Sequence, residues 1–455
     1  MPRPRTDRQD GRMNVSQGAS SGEGTAADEV VQLCSDLIRL DTSNFGDGSG
    51  PGERAAAEYV AARLAEVGLD PLIVETGPGR ANVIARVAGV DAGRDAMLIH
   101  QHLDVVPANA ADWTCDPFGG EVRDGCVWGR GAVDMKDMDA MTMAVVRQRL
   151  REGRPPARDV VLAFLADEEA GGSQGAHRLV ETHRDLFEGV TEGISEVGGF
   201  SVELGGDTRL YLIETAEKGL AWLRLTARGR AGHGSMINDD NAVTALCEAV
   251  ARIGRHTFPI RVTKTVQRFL DEVSDVLGIR LDPDDLDGVV AKLGPIAILI
   301  GATLRNTVSP TMLNAGYKVN VIPGQAEAHL DGRFLPGHEE EFFADIDALL
   351  GPDVQREFVH HDVALETEFE GRLVDAVCAS LKAEDPIARP VPYTLSAGTD
   401  SKAFSRIGIR CIGFVPLLLP ADLDFAAMFH GVDERVPVEA LKFGTRVLDR
   451  FLDLC

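Results

Sequence analysis

The sequence has no excess of positive charge. Its 455 residues include 46 lysines and arginines against 71 aspartates and glutamates, for a net charge of −25. Nucleic acids and anionic lipids are bound largely through basic residues, so the sequence predicts neither kind of partner. An acidic, solvated surface that favours solubility explains most of the imbalance.

Long apolar runs and paired cysteines are also missing. No stretch of about 18 apolar residues occurs, so no membrane-spanning segment is predicted. Residues 1–25 are polar, lack the apolar core of a signal peptide and are predicted to be a disordered tail. Seven cysteines without a CxxC pair favour free thiols in a reducing compartment. We therefore expect a soluble, cytoplasmic protein.

The chain is long enough for two or three domains. Over residues 26–217, helical patterns such as ADEVVQLCSDLIRL alternate with short apolar runs such as DVVLAFLAD. This alternation predicts an α/β domain, to which residues 336–455 return. Residues 218–335 contain patterns of antiparallel strands and helices, with LDPDDLD as a loop, and predict an inserted α+β domain.

The first candidate site residues lie where an apolar strand ends, in LIHQHLDVVP. His102 and Asp104 are two residues apart and therefore face the same side of the strand. Asp104 could accept the second ring N–H of a metal-binding His102. A surface pair without a metal explains an isolated H-x-D more simply, and His100 on the same face is a competing ligand.

Carboxylates recur at other element ends. Asp134 and Asp137 precede a helix in GRGAVDMKDMDAM, where acids also favour the helix dipole. VVLAFLADEEAGG ends in the adjacent carboxylates of 167–169, Glu196 precedes two glycines, and His430 lies in a polar turn. Each has an ordinary structural explanation. Together, at the carboxyl ends of strands, they favour a pair of divalent ions.

The stretches HQHLDVVP, GRGAVDMKD, ADEEAGG, SEVGG and HGVDERV resemble, in the same order, the zinc aminoacylase and carboxypeptidase G family of metallopeptidases. That family includes acetylornithine deacetylase, succinyl-diaminopimelate desuccinylase and many dipeptidases. The resemblance covers the chain from about residue 30 to its end. It implies a catalytic domain with a mixed sheet between helices, an inserted lid that forms a homodimer, and two Zn²⁺ per chain, with Mn²⁺ or Co²⁺ as alternatives.

The resemblance assigns five metal ligands, which are His102, Asp134, Glu169, Glu196 and His430. His102 would bind one zinc and His430 the other, with Asp134 as the bridge. Which glutamate meets which ion stays open. A cis peptide bond is implied between Asp134 and Met135.

Further roles around the metals follow from the same resemblance. Glu168 would be the general base, taking a proton from a metal-bridging water and passing it to the leaving amine. Asp104 would orient His102 as a catalytic-site residue. Asp167 has no assigned role and is expected to be a solvated charge at the strand end. Asp137 stands where the family commonly has glycine and is expected to cap the helix.

The inserted domain would supply the substrate side. His233, in RGRAGHGSM, would stabilise the oxyanion, from its own subunit or from the partner, although a loop histidine is more often simply exposed. Arg333 would bind a substrate carboxylate with its planar fork, or form an ordinary salt bridge. Further substrate contacts would come from Asn306, Asn320, Gly398 and Thr399.

We therefore predict a di-zinc hydrolase that cleaves an amide bond in a small, carboxylate-bearing substrate. A peptidase or dipeptidase is slightly favoured, because RNTVSPT through RFLPG resembles the broad peptidase branch. An N-acyl-amino-acid deacylase is the alternative. A metal-dependent phosphoesterase and a non-catalytic binding protein on the same fold are the other classes left open.

Overall fold

The computed structural model of the chain describes residues 24–203, 208–278 and 301–455. Most of the predicted tail and the predicted LDPDDLD loop lie outside these ranges. Among the described residues, no helix combines the length and apolar character needed to cross a membrane. The chain forms two units, each built on its own sheet.

The larger unit is built on a mixed sheet of ten strands. In chain order these strands are β1 (Leu72–Gly77), β2 (Arg80–Val87), β3 (Ala96–His102), β6 (Val160–Leu165), β7 (Val190–Ser195), β8 (Phe200–Glu203), β9 (Arg209–Glu217), β16 (Leu365–Glu366), β17 (Ala388–Leu395) and β18 (Arg410–Gly413). Strands β6, β3, β7 and β18 are neighbours in that order and run parallel. Their carboxyl ends therefore meet at one edge of the sheet.

Strand β3 illustrates why these segments form the centre of the sheet. All seven of its residues are buried, and near-continuous apolar runs are typical of parallel strands covered on both faces. Its last residue, His102, pairs with Leu165 at the end of β6. The chain thus leaves both strands at the same edge, next to the predicted site residues.

Helices pack around this sheet. They are α1 (Ala26–Arg39), α2 (Arg54–Ala65), α3 (Lys136–Arg151), α4 (Ala176–Thr182), α6 (Lys264–Leu277), α8 (Arg372–Glu384), α9 (Ser401–Ser405) and α10 (Val438–Leu454). Helix α1 begins with a capping box between Thr25 and Asp28. Helix α6 ends at Gly278, whose φ of 62° is the left-handed conformation that glycine adopts at little cost.

Short elements complete the larger unit. A three-stranded sheet joins β4 (Glu121–Arg123), β5 (Cys126–Trp128) and β19 (Arg435–Pro437). Single turns of 3₁₀ helix occur at Ala110–Asp112, Glu168–Ala170, Arg184–Phe187 and Ala426–Met428. The second and fourth of these turns carry or precede predicted metal ligands.

The smaller unit is an antiparallel sheet covered by helices. Its strands are β10 (Gly219–Arg228), β12 (Thr307–Ala315), β14 (Gln325–Phe334) and β15 (Val354–Asp362), and its helices are α5 (Ala242–Arg255) and α7 (Glu339–Leu350). The spatial order is β12-β14-β10-β15. Alternating burial along β14 is expected where one face packs on helices. Strands β11 (Gly232–His233) and β13 (Val321–Ile322) form a separate pair.

The boundaries of the two units differ from the predicted ones. Helix α7 and strand β15 join the core of the smaller unit, because β15 pairs with β10 along its length. That unit therefore continues past residue 335 to Asp362. Helix α6 lies within the predicted insertion, yet its Phe269 and Leu270 pack in the core of the larger unit. The predicted α/β class, with a mixed sheet between helices, is confirmed.

Two of the connections between the units are short crossovers, and a further connection leads from α5 to α6. The first crossover (Glu217–Gly219) leads from β9 into β10, and the second crossover (Asp362–Leu365) leads from β15 into β16. Both crossovers lead directly from a strand of one sheet to a strand of the other, so the residues that hold them connect the two sheets.

Candidate dinuclear metal site

The five predicted metal ligands come from separate segments that meet at this carboxyl edge. His102 ends β3, Glu169 lies in the 3₁₀ turn after β6, and Glu196 directly follows β7. Asp134 lies two residues before α3, and the peptide bond after it is cis, as the family resemblance implied. His430 has a left-handed backbone conformation (φ 58°), close behind the last 3₁₀ turn.

These side chains form two adjoining trios that share one carboxylate. In the first trio, His102 Nε2 lies 3.1 Å from Asp134 Oδ1 and 3.3 Å from Glu196 Oε2. In the second trio, His430 Nε2 lies 3.3 Å from Asp134 Oδ2 and 3.1 Å from Glu169 Oε2. Asp134 thus directs one oxygen to each trio. The structure pairs Glu196 with His102 and Glu169 with His430, which the sequence had left open.

The donor chemistry of both trios fits a divalent cation. Donor atoms bound about 2.0–2.2 Å from a tetrahedral ion lie about 3.3–3.6 Å apart, close to the distances within each trio. His102 Nδ1 donates to the Asp104 carbonyl oxygen at 2.9 Å, so in the neutral ring the Nε2 lone pair faces two carboxylates. Such an arrangement is repulsive unless a cation or a proton lies between these atoms.

Without a metal, protons would supply that positive charge. Ion pairs with Asp134 and Glu169 raise the pKa of His430 to about 10. Although burial opposes it, Glu196 and Asp134 raise the pKa of His102 well above its usual value. Hydrogen bonds from the two histidines lower the pKa of Asp134 against the effect of burial. Metal ions and protons therefore compete for the same two imidazole nitrogens.

Glu434 holds the loop that presents the bridging carboxylate. Its Oε1 accepts from the backbone N–H of Val133 (2.7 Å) and of Asp134 (3.2 Å). Its Oε2 accepts from Gly131 N (3.0 Å) and from Arg130 Nη1 (2.8 Å). Glu434 belongs to the motif HGVDERV, which resembles the metallopeptidase family. Its role could not be predicted from the sequence, because its partners lie about 300 residues earlier in the chain.

Asp104 lies where the sequence analysis expected it, but acts through two different groups. Its backbone carbonyl, rather than its carboxylate, accepts from His102; the carboxylate Oδ1 is 3.7 Å from the ring. The carboxylate instead accepts from the backbone N–H groups of Glu168 and Glu169, each at 3.1 Å, and from Asn44 Nδ2 at 2.9 Å. It therefore holds the turn that carries both glutamates.

Asp167 is buried, and the expectation of a solvated strand-end charge is wrong. Its carboxylate accepts from Asn44 Nδ2 at 3.1 Å and from Gln174 N at 2.8 Å, and Arg80 Nε lies 3.7 Å away. Arg80 also pairs with Glu53. These partners come from distant parts of the chain, so local sequence could not reveal them.

Glu168 stands beside both trios and belongs to neither. Its side chain is partly exposed and lines a cleft of about 150 Å³. Removal from water and the negative charge of Glu196 raise the pKa of Glu168 well above its usual value. A carboxyl group whose pKa is raised is a stronger base and can both accept a proton and return it.

Two other acidic or basic candidates lie in the interior. Asp137 is in the first turn of α3 rather than at its cap, and its Oδ1 accepts from Met138 N at 2.8 Å. Burial raises the pKa of Asp137 to about 8. His100 is in neither trio; its Nε2 lies 3.2 Å from Ser401 Oγ, and burial lowers its pKa to about 3.

The cleft brings together residues from both units. Arg333 enters it from β14, with Nε and Nη2 held by Asp331 at 2.7 and 3.1 Å. Gly398 and Thr399 also line the cleft. The Thr399 hydroxyl donates to Glu217 Oε1 at 2.7 Å, so its own proton is not directed at the cleft.

Three residues that were predicted to contact the substrate or its oxyanion do not line this cleft. His233 and Asn320 lie together at an exposed tip of the smaller unit, where Gly234 N–H donates to the Asn320 carbonyl at 2.9 Å. His233 Nδ1 is 2.9 Å from Ser235 Oγ. Asn306 is buried and accepts from Leu335 N at 2.8 Å.

A mixed α/β sheet with two metal-ligand trios at the carboxyl ends of its parallel strands defines a candidate dinuclear metalloprotein. The family model described as peptidase family M20/M25/M40 matches residues 98–454. The chain belongs to this family of amide hydrolases, and the predicted family is confirmed.

Individual relatives agree with this assignment. The chain is 27% identical to the N-fatty-acyl-amino acid synthase/hydrolase PM20D1 of Xenopus tropicalis, over 91% of this chain and 83% of the relative. It is 26% identical to aminoacylase-1 of Sus scrofa, over 85% of this chain and 86% of the relative. The M20 family metallo-carboxypeptidase Sso-CP2 of Sulfolobus solfataricus has the same fold, with a TM-score of 0.72 at 17% identity, covering 94% of this chain and 99% of that one.

Proposed function

We propose that this chain is a two-metal hydrolase that cleaves the amide bond of N-acyl amino acids with a free carboxylate. The observation that carries the proposal is the pair of trios sharing Asp134, with Glu168 beside both and in neither. A phosphoesterase site would not need this adjacent glutamate or an arginine fork opposite it. The proposed metals are two Zn²⁺ ions.

The residues divide the chemistry between them. Divalent ions held by the two trios would polarise the scissile carbonyl and lower the pKa of the attacking water. Glu168 takes a proton from that water and returns it to the leaving amine nitrogen. Asp104 keeps Glu168 in place through its backbone N–H. Asp134 remains ionised because both histidines hydrogen-bond to it.

Arg333 is the proposed partner of the substrate carboxylate. Asp331 occupies the Nε and Nη2 donors and fixes the plane of the guanidinium. The remaining N–H groups of Arg333 are left for a ligand in the cleft. The backbone of Gly398 and Thr399, which line the same cleft, would contact the same end of the substrate.

Two substrate classes fit this arrangement. N-acyl amino acids come first, because the sequence relatives named above are an N-fatty-acyl-amino acid hydrolase and an aminoacylase that cover most of the chain. Dipeptides, which the sequence analysis slightly favoured, are the second candidate. Solved structures of dipeptidases share the fold of this chain, among them the di-peptidase Dug1p of Saccharomyces cerevisiae, with a TM-score of 0.67 at 16% identity.

We also propose that the protein is a homodimer through its smaller unit. Strand β12 is an edge strand whose residues from Ser309 onward are exposed. The apolar side chains of Met312, Leu313 and Tyr317 are all more than half exposed there. Unprotected edges of this kind favour pairing with a second chain. In a dimer, the exposed His233 of one subunit would extend into the cleft of the partner subunit.

The proposed function is tested with purified protein of known metal content and a panel of N-acyl amino acids, dipeptides and phosphate esters. We expect release of free amino acid from the first class, lost on chelation and restored by zinc. Cleavage of dipeptides alone would select the second candidate. Phosphate release without amide cleavage, or no turnover by the metal-loaded protein, would contradict the proposal.

A further inference from the structure

A buried lysine joins the two short crossovers between the units. Lys402 lies in α9 and is only 3% exposed. Its Nζ donates to the carbonyl oxygen of Lys218 in the first crossover and to that of Val363 in the second crossover, each at 2.8 Å. A single ammonium group therefore binds both crossovers.

Glu217 extends this connection to the cleft. Its Oε2 lies 3.2 Å from Lys402 Nζ and accepts from Thr399 N at 2.8 Å, while its Oε1 accepts from the Thr399 hydroxyl at 2.7 Å. The turn 398–400 also packs directly on the lysine, since a β-carbon on Gly398 would come within 2.5 Å of Lys402 Cε. The pair thus touches both crossovers and the cleft wall.

A buried ion pair needs a reason beyond stability. Removing both charges from water costs about as much as their attraction returns, so apolar residues would fill the space equally well. The pair instead fixes the relative positions of three chain segments that are distant in sequence. Four hydrogen bonds and one ion pair connect these segments. Arg333 belongs to the smaller unit. The backbone conformation of the crossovers therefore affects the position of its guanidinium relative to the metal ligands.

We propose that Lys402 and Glu217 form a positioning pair that fixes the smaller unit against the turn 398–400. Arg333 and Thr399, which line the same cleft, are thereby held at the spacing that a carboxylate-bearing substrate requires. The statement about substrate rests on the proposed function. The mechanical coupling of the two crossovers to the cleft wall does not.

The coupling is tested by hydrogen–deuterium exchange of the intact protein. The probes are Lys402→Met and the double variant Lys402→Met with Glu217→Gln, which removes both charges of the pair. The control is Lys382→Met, at an exposed lysine on α8. We expect exchange at least tenfold faster in 215–222, 361–366 and 397–401 together, in both probes and not in the control. Faster exchange confined to 397–401, or no change in the double variant, would overturn the proposal.

The positioning role is tested by comparing an N-acyl amino acid with its carboxamide analogue. We expect the ratio of kcat/KM for the carboxylate to that for the carboxamide to fall at least tenfold in the double variant, mainly through KM. A merely structural defect lowers both values by the same factor and leaves the ratio unchanged, which would overturn the role. If the wild-type protein hydrolyses neither compound, the proposed function fails, and the exchange experiment still decides on the pair.

Discussion

Glu168 and Glu169 are neighbours in the chain but have different partners. Glu169 contacts His430 through Oε2 and accepts from Val106 N through Oε1 at 3.2 Å, so both of its oxygens are engaged. Glu168 has its backbone held by Asp104, while its side chain faces the cleft. The adjacent acids are tolerated because their side chains have different surroundings: Glu169 is bound by His430 and Val106, whereas Glu168 faces the cleft. Of these two glutamates, Glu168 is therefore the one proposed to transfer a proton.

Replacing Glu168 by Gln is expected to separate chemistry from metal binding. The amide keeps the size of the side chain but cannot accept the proton of the attacking water, so kcat should fall by about 10²–10⁴. Metal content should stay at the wild-type value. Glu181→Gln, at an exposed glutamate on α4, is the matched control. Wild-type turnover in the Glu168 variant would remove it as the general base.

Zinc binding to metal-free protein is expected to release protons. Asp134 and Glu169 raise the pKa of His430 to about 10, so near neutral pH the ring carries a proton that the metal must displace. Zinc affinity should therefore increase as the pH rises between about 6 and 8. Calorimetry in buffers of different ionisation enthalpy measures the protons released. Release of no protons on zinc binding, or release of the same number of protons by His430→Ala, would contradict the proposal that zinc displaces a proton from His430.

At the scale of elements, the site depends on loops that a distant acid holds in place. The loop from Gly131 to Asp134 makes three backbone hydrogen bonds to Glu434, whose own segment leads into β19. The strand ends bring the ligands together, and residues such as Glu434 and Asp104 set their direction.

Glu434→Gln is expected to weaken zinc binding by about 10–100-fold although no ligand is altered. The amide NH₂ of glutamine would face a backbone N–H donor and displace the loop that carries Asp134. Competition with a chelator of known affinity measures the effect. The control is Glu439→Gln, at an exposed glutamate in α10. Unchanged zinc affinity in the Glu434 variant would show that the loop needs no such support.

The apolar runs of β3 and β6 predict the sheet. The five ligands were implied by the resemblance of five motifs to a metallopeptidase family, and the structure brings these five side chains together. The partner of each glutamate could not be predicted, because it depends on side-chain direction in loops. Asp167 was misjudged for a related reason: its partner Asn44 is 123 residues away. The predicted boundary at residue 335 lies before β15, which pairs with β10 of the smaller unit. The local sequence of β15 does not reveal which sheet the strand joins.

At the scale of the whole molecule, the smaller unit has an exposed apolar edge strand, β12, and an exposed histidine, His233, for which its own subunit offers no partner in the cleft among the described residues. Met312 and Leu313 on β12 are 65% and 58% exposed. The double variant Met312→Lys with Leu313→Lys should remove the apolar edge and give a monomer by sedimentation velocity. Val90→Lys, at a 74%-exposed valine on the larger unit, is the control. A wild-type protein that is already monomeric at micromolar concentration would contradict the proposed dimer.

Mixing two inactive variants then tests whether His233 acts across the dimer. In a heterodimer of His233→Ala and Glu168→Gln chains, one of the two clefts has both groups only if the histidine comes from the partner. After equal mixing and subunit exchange, about a quarter of wild-type activity should return. No recovery in heterodimers confirmed by mass spectrometry would place His233 outside the partner's cleft.

The central claim is that two metal ions held by the two trios support amide hydrolysis. Its most direct test is turnover of an N-acyl amino acid as zinc is added back to metal-free protein, with bound zinc measured at each step. We predict two zinc ions per chain, activity that appears with them, and loss of one ion each in His102→Ala and His430→Ala. Full turnover by the metal-free protein, or stoichiometric zinc that survives removal of both histidines, would contradict the account.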